Sequence, residues 1–213
     1  MTRDEGVAMI KEQLGFRTTL DSSIVNYMLL AQVTLEKAPT KPWFLVSEDT
    51  FTSTVANEER VPVPLDFLCE TDDAALRYRP DSYPDLPERE LKKEDYDVLR
   101  EIFRCTENGK PRGYALIGNY FRIAPVPDAV YNLRQLYYKK GTLLSSNIEN
   151  EWLKEVPLLL LGSAGKLISG PTRDVRASNV FDGWIATGTA ILHNHDSSRA
   201  SANRNDQIGG KHW

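Results

Sequence analysis

Between Tyr120 and Tyr138 the chain alternates apolar and polar residues in two runs, Phe121 and Ile123, then Tyr131, Leu133 and Tyr137, separated by Pro125-Val-Pro-Asp128. A period of two puts each set on one face of a strand, a pattern a helix cannot satisfy. The two runs are expected to fold back on each other at the proline-rich bend as a hairpin with one buried face. Its polar side chains form no catalytic set, so its use should lie in shape.

On both sides of this region the period becomes helical. Thr2-Arg-Asp-Glu5 fits a capping box, Val7, Ile10 and Leu14 follow at helical spacing, and Gly15 ends the helix. A second helix runs from about Asp21 with Ile24, Tyr27, Met28, Ala31 and Leu35 as its apolar stripe, and Pro39 lies past its end. From Trp43 the chain reads as short strands: Phe51 to Val55, Arg60 to Pro64, Ala75 to Arg79, and a Gly118-Asn119 turn between Tyr114–Ile117 and Tyr120–Ala124. Pro62 and Pro64 lack donors on the same side, which predicts an edge strand or one packed against something other than a ladder. Glu94 to Phe103 reads as an inserted helix with Tyr96, Leu99, Ile102 and Phe103 on one face. Ser146-Asn-Ile-Glu149 reads as a second capping box opening a helix with Ile148, Trp152, Val156 and Leu159 or Leu160, which must kink or restart at Pro157. A last helix is expected after Pro171, carrying Val175, Phe181, Trp184, Ile185, Ile191 and Leu192. The expected fold is α+β: a helical body of two N-terminal and two C-terminal helices, a β-rich inserted region and an extended C-terminal tail. The domains are 1–40, a helical hairpin; 41–141, the β-rich insertion with one helix; 142–193, the helices completing the body; and 194–213, a polar tail, mobile in the free protein.

The 213 residues are 41% hydrophobic, enough for a packed interior. A net charge of −4 argues against gripping nucleic acid through a broad basic face, which needs clustered Lys and Arg. No eighteen-residue apolar run exists, and Met-Thr-Arg-Asp-Glu does not open a secretory leader, so membrane and secreted readings fail. Cys69 and Cys105 lack metal-site spacing and read as ordinary thiols.

The motifs that could carry chemistry fall short of its requirements. Gly162-Ser-Ala-Gly-Lys166 imitates a phosphate loop, but Leu160 stands where the first glycine belongs and Leu167 where the hydroxyl should reach magnesium. Small residues letting two helices approach closely is the preferred reading. His193-Asn-His195-Asp196 and His212 have no Cys or Glu framework around them, so no metal is expected. With all three histidines at or beyond position 193, a nucleophile would have its base in the least rigid stretch, and no catalytic residue or cofactor is expected. Asp72-Asp73 and Glu94-Asp95 read as solvated charge. Tyr131, Tyr137 and Tyr138 lack a basic groove for stacking bases and suit sheet packing or a subunit interface.

Trp43-Phe-Leu-Val-Ser-Glu48, Thr54 through Leu68 (TVANEERVPVPLDFL), Tyr114-Ala-Leu, Tyr120 through Asp128, Leu133-Arg-Gln-Leu-Tyr-Tyr138 and Asn147 through Leu153, in this order and spacing, resemble the head-to-tail adaptor proteins of tailed bacteriophages over about residues 1 to 192. The resemblance implies a non-enzymatic virion component in the neck between capsid and tail, present in host cytoplasm during assembly. It implies a homo-oligomeric ring, a dodecamer in relatives, beneath the portal protein and above a tail or nozzle protein. DNA ejection would pass the genome through an acidic lumen without specific binding. The tail would reach the portal, with Ile208 and Trp213 as apolar anchors and Arg199, Arg204 and Lys211 meeting acidic groups. Alternatives are another neck, tail-completion or baseplate subunit, and a nucleotide-binding enzyme built around Gly162 to Lys166.

Overall fold

A computed structural model describes residues 1–16, 18–71, 76–83, 85–103, 108–146 and 148–209, excepting the side chains of 18, 48–51 and 196–209. Asp72, Asp73, Ala75, Cys105, Asn147 and His212 therefore lie outside the described residues. The chain is mixed α+β and divides into two compact units, one formed by Met1–Leu45 with Gly141–Trp213, the other by Val46–Lys140.

The first unit is helical. α1 (Arg3–Gln13) opens with the expected capping box: Glu5 N donates to the Thr2 hydroxyl and Thr2 N to the Glu5 carboxylate. Gly15, at φ +71°, ends that turn, and α2 (Asp21–Glu36) buries Ile24, Met28 and Ala31. After Gly141 come three helices where two were expected: α4 (Glu151–Glu155), α5 (Pro157–Thr172) and α6 (Val175–Gly209), with α3 (Tyr96–Phe103) belonging to the other unit. Pro157 occupies the first turn of α5, where its missing N–H costs nothing, so the chain restarts there. The box expected at Ser146 is displaced: α4 is capped by Asn150, whose side chain accepts from Trp152 N and Leu153 N, and Ile148 is exposed. α5 packs against α1, α2, α4 and α6, which explains a sequence apolar on nearly every side.

The expected extended tail from Asn194 is not seen; the backbone stays helical to Gly209. Between Asn194 and Gln207 there is no proline or glycine, and extending an existing helix needs no buried face. Val175, placed on the apolar face of α6 by sequence, is exposed, because the helix begins there and its packing begins at Ala177 and Phe181.

The second unit contains strands β1 (Val46–Ser53), β2 (Arg60–Pro62), β3 (Phe67–Glu70), β4 (Arg77–Pro80), β5 (Arg89–Glu90) and β6 (Lys92–Lys93), then α3 (Tyr96–Phe103). β7 (Asn108–Gly109), β8 (Gly113–Ile117), β9 (Tyr120–Ala124), β10 (Val126–Pro127) and β11 (Tyr131–Lys139) follow. One sheet has the order β1-β11-β4-β5 with β3 also on β11, a second has the order β2-β9-β8-β6, and β10 pairs with β7. Their inner faces share one core, including Val61, Tyr114, Phe121 and Ile123 from the second sheet and Tyr78, Tyr131 and Leu133 from the first. β2, which ends at Pro62 and leaves Pro64 outside the strand, lies at a sheet edge. α3 covers the outer face of the second sheet, Leu99 packing on Ala115 and Ala124, while Ile102 is exposed instead of sharing that contact.

The hairpin expected across Pro125-Val-Pro-Asp128 does not form: β9 and β11 belong to different sheets and meet by packing, not pairing. The linking residues find other partners. Asn57 N donates to Pro127 O at 2.8 Å, the Thr54 hydroxyl to Ala129 O at 3.1 Å, and Val126–Pro127 pairs with Asn108–Gly109.

Candidate assembly surfaces

β11 is the longest strand of its sheet, with β1 along one edge and β4 and β3 sharing the other. Its alternation points Tyr131, Leu133, Gln135 and Tyr137 into the unit. The Tyr131 hydroxyl donates to Asp128 Oδ1 at 2.6 Å, and burial, reinforced by that carboxylate, raises its pKa above the ordinary value. Tyr137 stacks on Phe67 with centroids 5.6 Å apart and donates to Asp66 Oδ1 at 3.2 Å. Both tyrosines are thus engaged in sheet packing. Tyr138 is half-buried on the opposite face, across from Cys69 and Val46.

Beside them lies a polar junction with no signature in the sequence. Glu70 Oε1 accepts from Gln135 Nε2 at 2.7 Å and from the Tyr114 hydroxyl at 2.8 Å, while Lys93 pairs with Oε2. These residues come from β3, β11, β8 and β6, so one carboxylate ties the two sheets together. Burial, then the Glu70 charge, raises the Tyr114 pKa and keeps its proton in place. The junction holds the sheets in register and offers no reactive group.

In the helical unit, Glu36 Oε1 accepts from Gln32 Nε2 at 2.8 Å and Gly141 N at 2.9 Å, and Asn150 Nδ2 reaches Thr142 O and, at 3.4 Å, Gln32 Oε1. A Cβ on Gly141 would stand 3.0 Å from both Gln32 Nε2 and Glu36 Oε1, so the fit is close. The residues suspected of imitating a phosphate loop, Gly162 to Lys166, lie inside α5, where their N–H groups serve helix bonds. A Cβ on Gly165 would stand 2.4 Å from the Phe181 ring, and one on Gly188 2.5 Å from Leu159 N, so small residues do let α5 and α6 close together. Lys166 bonds Asp182 at 2.5 Å and Ser178 at 2.8 Å.

His193 is exposed, and His195 lies 5.8 Å from the Trp43 ring. Among the described residues no cluster of three His, Cys, Asp or Glu could hold a metal ion, and no helix is long and apolar enough to cross a membrane. The side chains of Arg199, Arg204 and Ile208, and all of Lys211 and Trp213, lie outside the described residues. Sequence reasoning passed over several exposed apolar side chains, Phe16, Leu65 and Leu143 among them, because periodicity identifies faces within an element and these stand outside regular elements.

The helical unit and the two-sheet unit each hold a carboxylate, Glu36 and Glu70, in internal hydrogen bonds. The family model described as SU10 adaptor protein matches residues 2–167, well over half of the chain, and the chain belongs to that family of phage head-to-tail adaptors. It is a structural component of the virion that associates with other neck components. The match takes in α1 through most of α5 and stops before α6. Comparison with curated proteins gives no match.

Proposed function

We propose that copies of this chain assemble as a ring, twelve in number, beneath the portal and continue the DNA channel towards a tail or nozzle protein, without catalysis. The family match over residues 2–167 carries this reading. Charge supports it: residues 46–140 hold 14 Lys and Arg against 18 Asp and Glu, whereas the helical unit holds 12 of each, so the whole net charge of −4 belongs to the β-rich unit. Repeated around a ring, that excess repels phosphate and lets DNA slide.

The upward contact is assigned to α6. Leu192 is the last buried apolar residue among its described side chains, and 17 residues of helix follow to Gly209, about 25 Å at 1.5 Å per residue. Arg199, Arg204, Ile208, Lys211 and Trp213 are the residues we assign to portal binding. Subunit contact through β11 is assigned to its outward, half-buried face at Tyr138, because Tyr131 and Tyr137 face inward. Electron microscopy of the protein mixed with its cognate portal tests the reading. A ring coaxial with the portal is expected; single copies bound at scattered sites count against it.

A further inference from the structure

Leu65 is 98% exposed, and the backbone around it is held firmly. It follows Pro64, Phe67 N donates to Pro64 O at 3.0 Å, Lys140 N to Asp66 O at 2.6 Å, and Lys140 Nζ to Leu65 O at 3.3 Å. Because the backbone is already held, seating Leu65 in a partner orders little beyond its own side chain. The knob carries one charge of each sign beside it, Lys140 and Asp66.

The helical unit contains a cavity of about 480 Å³ where α1 ends and α6 begins. Its lining combines the apolar Leu14, Ala177 and Val180 with the charged Glu12, Asp174 and Arg176. Next to the lining residues, Phe16 and Val175 are 68% and 72% exposed, and Phe16 holds a left-handed backbone at φ +56° that an aromatic residue rarely adopts. Charge distinguishes this cavity from two others. The one lined by Tyr78, Pro80 and Leu86 carries Arg89 and Lys110 and no carboxylate in its lining to meet Lys140. The one between α1 and α2 is edged by Arg3–Asp4 and Lys11–Asp21, already paired at 2.8 Å. Of these three, the α1–α6 cavity is the one that offers carboxylates at Glu12 and Asp174 to Lys140 and a guanidinium at Arg176 to Asp66.

We propose that Leu65 of one copy seats in the α1–α6 cavity of the next copy, with Lys140 against Glu12 and Asp174, and Asp66 against Arg176. This inference rests on the ring reading above. Knob and socket are different surface patches, so the contact is heterologous, the type that closes a ring when its rotation divides the circle.

Sedimentation velocity of the full-length chain, alone and with portal, tests it alongside thermal melting. Leu65→Asp is expected to lower the assembled fraction at least tenfold at unchanged melting temperature. Lys140→Glu and Glu12→Lys are each expected to weaken assembly, and the pair together to restore it. Wild-type rings with Leu65→Asp assembling equally well, or a double swap no better than the singles, overturn the seat and leave the ring standing. A wild-type chain that stays monomeric with and without portal removes the ring reading and the seat with it.

Discussion

Asn150 shows how much can depend on one side chain: its oxygen accepts from Trp152 N at 2.8 Å and Leu153 N at 3.4 Å, while its amide nitrogen donates to the buried Gln32–Thr142 network. Asn150→Ala removes the cap and leaves buried acceptors unmet, an expected loss of about 2–3 kcal/mol in denaturant unfolding. Tyr131 gives a pH signature. Its proton is held above the ordinary tyrosine value of 10.0, so below that pH both folded and unfolded chains keep it. Above 10.0 the unfolded chain releases it first, and stability falls as pH rises. Tyr131→Phe is expected to make the decline in melting temperature above pH 10 shallower, with little change in slope between pH 7 and 9. The Thr2–Glu5 box was legible because both halves of a local motif stand three residues apart. The displaced box at Ser146 was misread because Asn150 is chosen as cap partly by Gln32 and Thr142, 118 and 8 residues away in sequence.

At the scale of elements, two glycines in the α5–α6 pair should respond oppositely to the same change. Gly165→Ala drives a methyl group into the Phe181 ring and is expected to cost about 1–3 kcal/mol. Gly183→Ala meets no atom within 4 Å and replaces a poor helix former, so a gain of about 0.5–1 kcal/mol is expected. Thermal melts of the two variants check both signs. Helices and strands were legible wherever period and punctuation agreed, as in α2, the Gly118-Asn119 turn and the restart at Pro157. Strand partners were not. Alternation in Phe121–Ile123 and Tyr131–Tyr137 fixes which side chains face inward, and that much held, but an inward face can meet its neighbour beside it or across a core. Here Pro125 and Pro127 lie in a six-residue link, Pro125 to Val130, that lacks tight-turn chemistry, and Thr54 and Asn57 hold it between sheets.

For the whole molecule, the sharpest expectation concerns α6. Removing residues 196–213 takes away much of the helix beyond Leu192 and no described core side chain, so the truncated chain should melt as the full chain does and bind portal rings at least tenfold more weakly. Retained affinity in a pull-down would move the portal contact elsewhere on the subunit. The amino-acid order alone determined the alternation of helical and β-rich regions and the inward sets of β9 and β11, because periodicity, capping and proline placement act within a few residues, and the order and spacing of its motifs carried the adaptor resemblance. Only the tertiary structure decided that β9 and β11 lie in different sheets, that Glu70 joins those sheets, and that Leu65 stands fully in solvent. Such outcomes depend on which distant surfaces exclude water together, a property of the packed chain and not of any local run of residues.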